Sequence, residues 1–242
     1  MTWLRELPVA HRGLHDAQLP ENSLGAFAAA AEAGYAIEFD VRLSADGVPV
    51  VIHDLDTERV TGKRLVVAEE PASVLRDLRL DGTDFGIPTL AEAVAAAGSA
   101  PLLVEVKPNI PADVIGPAVM AALAGRSAPT AVQSFDPRVL LWLRAHAPDV
   151  PRGQLSGDFA GVSVPAAQKW LLRSMVASPL TRPQFIGYDI EAVRDASLAL
   201  WRRLLEVPVL LWTVTTERHL ELARQYDANV IFEGVRPGPG GR

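Results

Sequence analysis

The segment Glu38-Phe39-Asp40 places two carboxylates two residues apart inside an apolar run. On a strand, residues i and i+2 face the same way, so both acids project together and Phe39 points to the other face. Two like charges held side by side at a strand end are costly unless something neutralises them, and a bound cation does so. Oxygen ligands in a chain without cysteine suit Mg2+ or Ca2+ better than zinc. The plain alternative is an exposed strand end with two solvated acids.

The dipeptide Asp46-Gly47 bears on that choice, because it is a strong signal for a two-residue hairpin turn. Such a turn pairs Ala45 with Val48 and sets Asp40 opposite His53. Directly opposed residues have Cβ atoms roughly 4.5–5.5 Å apart. A second strand end, Leu102 to Pro108, carries Glu105 and Lys107 on one face. Glu105 offers a third carboxylate to the same ion, and Lys107 offers a cation to an anionic substrate oxygen. A surface pair after a core strand is the alternative. A third, His11-Arg12-Gly13, joins a group that passes protons near neutral pH to one that forks onto phosphate, followed by a residue that lets the backbone turn sharply. Taken singly, a core or loop histidine is the commoner explanation of His11. Together the three segments supply a cation site, an acid/base pair and a phosphate clamp, which is the equipment for phosphoryl transfer.

Short apolar runs that read as strands must position these residues. They fall at 8–10, 36–41, 102–106, 130–133, 152–155, 185–188, 209–213 and 230–232. Helical patterns lie at 23–33, 90–97, 111–124, 137–145, 165–177, 192–205 and 217–225. Alternating strands and helices imply a parallel sheet. Eight strands in 242 residues favour a closed (β/α)8 TIM barrel, typically ~250 residues long, over an open doubly wound sheet. The first helix also lacks the GxGxxG opening of dinucleotide-binding sheets. Asn22 or Ser23 can cap that first helix, and Pro111, Pro137 and Pro165 mark later helix entrances. One barrel is expected over residues 1–236, with a small insertion at about 44–88 after the second strand and a flexible tail at 237–242.

Composition narrows the function classes. A net charge of −6 and a pI near 5.4 leave no global basic footprint for nucleic acid. No window reaches the ~20 apolar residues of a membrane span, so stable membrane insertion is not expected. The opening MTWLRELPVAHRG lacks the apolar stretch of a signal peptide, and the absence of cysteine fits a reducing compartment. A cytoplasmic protein is the expectation.

The run AHRGLHDAQLPENSLGAFAAAAEAGYAIEFDVRLSADGVPVVIHDLDTERVTG and the later VEVKP resemble the signature of the glycerophosphodiester phosphodiesterase family. The resemblance is dense over residues 9–108 and thinner beyond. It implies a (β/α)8 barrel with an insertion after the second strand, acting on a small-molecule glycerophosphodiester to release glycerol phosphate and an alcohol. Carried onto this chain, it implies His11 and His53 as the acid/base pair. Glu38, Asp40 and Glu105 would hold one divalent cation, Mg2+ or Ca2+, and Arg12 and Lys107 would contact the phosphate. In the mechanism so implied, His53 deprotonates a glycerol hydroxyl that attacks phosphorus, and His11 protonates the leaving alcohol. Water then opens a cyclic glycerol phosphate. Glu21 and Trp212 are further candidates for substrate contact, with helix capping and barrel packing as their respective alternatives. Many family members close the last strand with an Asp shortly before a Pro, where this chain has Glu233-Gly234. The competing readings are a related two-histidine lyase acting on phospholipid headgroups and a non-catalytic barrel that binds phosphodiesters.

Overall fold

The structure is a computed structural model, and it describes residues 1–108, 110–159 and 165–238. Among the described residues, nine strands run in chain order: β1 (Val9–Ala10), β2 (Ala36–Leu43), β3 (Pro49–Val51), β4 (Leu102–Val106), β5 (Thr130–Ser134), β6 (Arg152–Ser156), β7 (Phe185–Asp189), β8 (Val209–Val214) and β9 (Asn229–Phe232). The sheet order is β1-β9-β8-β7-β6-β5-β4-β2-β3, with a further β1–β2 pairing. Setting aside the hairpin strand β3, this is the (β/α)8 barrel order expected from the alternation. Internal contacts divide the chain into two compact units, residues 10–130 and residues 1–9 with 131–242.

In the unit 10–130, β2 and β4 are parallel and buried along nearly their whole length, as strands covered on both faces must be. The helix Leu24–Glu32 packs Phe27 onto Phe39 of β2, with ring centroids 5.3 Å apart. Ser23 caps that helix by accepting from the Ala26 amide at 3.1 Å. The helix Leu90–Ala96 starts with a capping box between Thr89 and Glu92. In the other unit, β5 to β9 form successive parallel pairs. Asp136 caps the helix Pro137–His146, whose first residue is the proline expected at an entrance. The helix expected at 192–205 begins only at Ala196, after a 3-10 turn at Ile190–Ala192. Short helices at Trp3–Glu6, Glu58–Thr61, Ala72–Asp77 and Ser178–Thr181 carry too few residues to show a period in the sequence. Of the expected tail, residues 239–242 lie outside the described residues.

The hairpin after β2 departs from expectation. Its register pairs Val41 with Val51 and Arg42 with Val50. Asp40 therefore lies level with Ile52, whose amide donates to the Asp40 carbonyl at 3.0 Å, and not with His53. The closing residues are Ser44 and Val48, with Ala45, Asp46 and Gly47 as a three-residue loop. A two-residue type I′ turn needs positive φ at both central residues, but here only Gly47, at φ 78°, adopts it. The Asp46 carboxylate instead accepts from the Ser44 hydroxyl and the Ala72 amide, which ties the turn to the rest of the insertion.

The insertion buries a small core of its own: Val50, Ile52, Val60, Val67, Ala72, Leu75, Leu80 and Ile87. Leu75 is fully buried within it. Leu75→Ala is expected to destabilise the protein by about 2–5 kcal/mol through lost burial and the cavity left behind. Urea denaturation checks this, and an unchanged midpoint would show that the insertion core contributes nothing to global stability.

Candidate active site

Glu38 and Asp40 project from one face of β2, and both are almost wholly buried. The parallel register sets Asp40 beside Glu105 on β4, so the third acid joins the first two by strand pairing alone. One ligand oxygen from each of the three lies within 4.8 Å of the others.

The loop after β1 brings its side chains to the same cluster. Arg12 has φ 55°, and its amide donates to Glu38 Oε2 at 3.1 Å. Its guanidinium lies 3.3 Å from Asp40 Oδ2 and donates to Glu21 Oε1 at 2.8 Å. The next residue, Gly13 at φ 83°, passes so close to the first helix that a Cβ would sit 2.8 Å from Ala26. His11 Nε2 is 4.0 Å from Glu38 Oε2. Asn22 adopts φ 57° instead of capping the helix, and its amide donates to Asp40 Oδ2 at 2.9 Å. Lys107 Nζ lies 2.6 Å from Glu105 Oε1 and 2.8 Å from Asp40 Oδ1.

After β3, the His53 carbonyl accepts from Arg42 Nε at 2.9 Å, which holds the backbone beside β2. The ring Nδ1 is 2.8 Å from Asp54 Oδ1. Arg59 donates to Asp54 Oδ2 at 2.5 Å and forks onto both oxygens of Glu21 at 2.7 and 2.8 Å. Thus the structure gathers His11, Arg12, Glu21, Glu38, Asp40, His53, Glu105 and Lys107 within the unit 10–130. Trp212 belongs to the other unit, beside Asp189 in the β7–β8 register and edge-on to Phe135 at 5.7 Å.

The electrostatics divide the three acids. Burial raises the Glu38 carboxyl well above the usual range, and the charges of Asp40 and Glu105 push it the same way. Burial also opposes ionisation of Asp40, but Lys107, Arg12 and both histidines outweigh it and hold that carboxyl far below the usual range. Burial lowers His53, and repulsion from Lys107 and Arg12 adds to it against the pull of Asp40 and Asp54. Lys107 and Arg12 set two positive charges against three carboxylates. Glu38 Oε1 is buried with no hydrogen-bond partner. A cation with carboxylate oxygens at roughly 2.3–2.6 Å can bring opposed ligands within about 5 Å of one another. The triad therefore fits a hard divalent ion, and such an ion would let Glu38 ionise.

Asn22, Asp54 and Arg59 join the site without being expected there from the sequence. In the sequence Asn22 carries only a helix-cap signal, and the other two carry no local signal of contact.

The barrel fold and the cluster at its strand ends define a class, the (β/α)8 barrels that work at the C-terminal ends of their strands. Within it, the chain belongs to the Glycerophosphoryl diester phosphodiesterase family, whose model matches residues 11–232. It is 44% identical over 98 residues to glycerophosphodiester phosphodiesterase 1 of Bos taurus, a match covering 36% of this chain and 29% of the bovine protein. Less than a third of that relative's length is therefore matched. Over 93% of this chain and 94% of the other, it superposes on a glycerophosphodiester phosphodiesterase from Thermotoga maritima with a TM-score of 0.72 and 26% identity. An Oleispira antarctica phosphodiesterase, solved with the product sn-glycerol-3-phosphate, shares the fold at a TM-score of 0.77 and 24% identity, over 93% of this chain and 92% of that one. Among the described residues, no helix is long and apolar enough to cross a membrane.

Proposed function

We propose that this chain hydrolyses glycerophosphodiesters to glycerol phosphate and an alcohol, with His11 and His53 as the acid/base pair and a divalent cation on Glu38, Asp40 and Glu105. The observation that carries the reading is the buried carboxylate triad, with one oxygen of each acid within 4.8 Å of the others and His11 Nε2 4.0 Å from Glu38 Oε2. Mg2+ or Ca2+ held there supplies Lewis-acid polarisation of the phosphate.

The side chains account for the remaining steps. Asp54 is held below the usual carboxylate range by its bonds to His53 and Arg59, against the effect of burial. An ionised carboxylate only accepts, so His53 Nδ1 carries the proton and Nε2 keeps a lone pair for the attacking hydroxyl. His11, with Nε2 4.0 Å from Glu38 Oε2, is the group that protonates the leaving alcohol. Arg12 and Lys107 present positive charge to the phosphate oxygens from the rim of the triad.

Glycerophosphocholine is the substrate to test. Release of glycerol phosphate, lost with EDTA and restored by Mg2+ or Ca2+, is the expected result. Absence of turnover across several diesters, with the diesters still bound, would favour the non-catalytic barrel.

A further inference from the structure

We propose that Arg59 is a positioning residue for His53: it ties Asp54 to Glu21 and so holds the His53 ring with Nε2 free to take a proton. The proposal rests on the reading of His53 as the base.

Arg59 looks at first like a surface residue, since its side chain is 48% exposed. An exposed ion pair contributes little, and a purely surface role for Arg59 would leave catalysis untouched. Its bonding is of another kind. Three guanidinium nitrogens are engaged at once, two on Glu21 and one on Asp54. Those acids come from separate segments, Glu21 from the loop before the first helix after β1 and Asp54 from the chain after β3. Both are less exposed than Arg59 itself, at 16% and 29%.

One oxygen of each acid also leads inward. Asp54 Oδ1 is 2.8 Å from the His53 ring. Glu21 Oε1 also accepts from Arg12, whose guanidinium reaches Asp40. An unbroken chain of alternating charge therefore runs from His53 through Asp54, Arg59, Glu21 and Arg12 to Asp40. Arg59 is the link that closes it on the solvent side. Without it, Asp54 loses the bond that fixes its carboxylate plane, and the ring loses the constraint that selects its tautomer. A lysine cannot replace this link, because a single ammonium does not present the planar fork that meets both acids.

Arg59→Ala and Arg59→Lys are each expected to lower kcat by ~10–100-fold, the usual cost of losing a partner that orients a functional histidine, with KM little changed. Arg64→Ala, in the same insertion and paired with Asp56, should leave both constants unaltered. In an Asp54→Asn background, Arg59→Ala should cost little more, since both act through one path. Guanidinium ion, well below denaturing concentration, should restore part of the activity of Arg59→Ala. The readout independent of activity is the 15N spectrum of the His53 ring, assigned by its loss in His53→Gln. Wild type should show Nδ1 protonated and Nε2 bare, and both Arg59 variants should lose that single tautomer. Unchanged His53 signals in Arg59→Lys would overturn the proposal whatever the turnover. Full turnover in His53→Gln would instead refute the base assignment and leave the spectral test of Arg59 standing.

Discussion

His53→Ala is expected to lose on the order of 10²–10⁴-fold in kcat, the usual range for removing a positioned acid or base. His11→Ala should lose a similar factor. The double variant should lose little more than either alone, because groups that act in one proton relay are strongly non-additive. Steady-state hydrolysis of glycerophosphocholine reads all three. The pH profile adds a directional check. Burial and two neighbouring cations lower the His53 pKa, so the ring stays neutral to a pH below the ordinary histidine range. The acid limb of kcat/KM should accordingly fall below pH 6.5, the unperturbed value. Near wild-type turnover in both single variants would sink the two-histidine assignment.

The second large effect concerns the triad, where two neighbouring acids should behave oppositely. Glu38→Gln removes a carboxylate that burial and two like charges hold toward its neutral form. This group binds its proton more tightly folded than unfolded, so it supports the metal-free fold at acid pH, and that support is lost as pH rises through its folded value. The metal-free Glu38→Gln variant should therefore be at least as stable as wild type at neutral pH, while its affinity for Mg2+ or Ca2+ falls sharply. Asp40→Asn should also lose the ion, but it strips a buried partner from Lys107 and Arg12. Breaking a buried ion pair from one side costs about 3–5 kcal/mol. Calorimetric titration with each cation and urea unfolding of metal-free protein separate the two. If Glu38→Gln binds the cations as tightly as wild type, the triad is not their site.

Much of this site is legible in the sequence. Glu38 and Asp40 share a face because strands have a period of two, and Glu105 and Lys107 do so for the same reason. The strand–helix alternation implied the parallel order, and parallel pairing then set Asp40 beside Glu105. The expected contact between Asp40 and His53 was a different matter. A turn of three residues replaced one of two, which moved the register by one position. His53 nevertheless stays within electrostatic reach of Asp40. Beyond the end of β3 its placement depends on the Arg42 bond to its carbonyl rather than on ladder pairing.

Asn22 and Arg59 show the same limit from another side. Asn22 reads as a cap in the sequence, yet Ser23 takes that role and frees the amide for Asp40. Arg59 meets Glu21 across 38 residues, a separation at which no periodicity speaks.

By itself, the sequence determined the order of strands and helices, the carboxylates that share a strand face, and the chemical inventory at the strand ends. Those properties follow from periods of two and 3.6 residues, which act over a few neighbours. Only the tertiary structure decided the hairpin register, the turn of Asn22 toward Asp40, and the closing of the charged chain through Arg59. Each depends on torsions at a single turn or on where distant loops meet, and local patterning constrains neither.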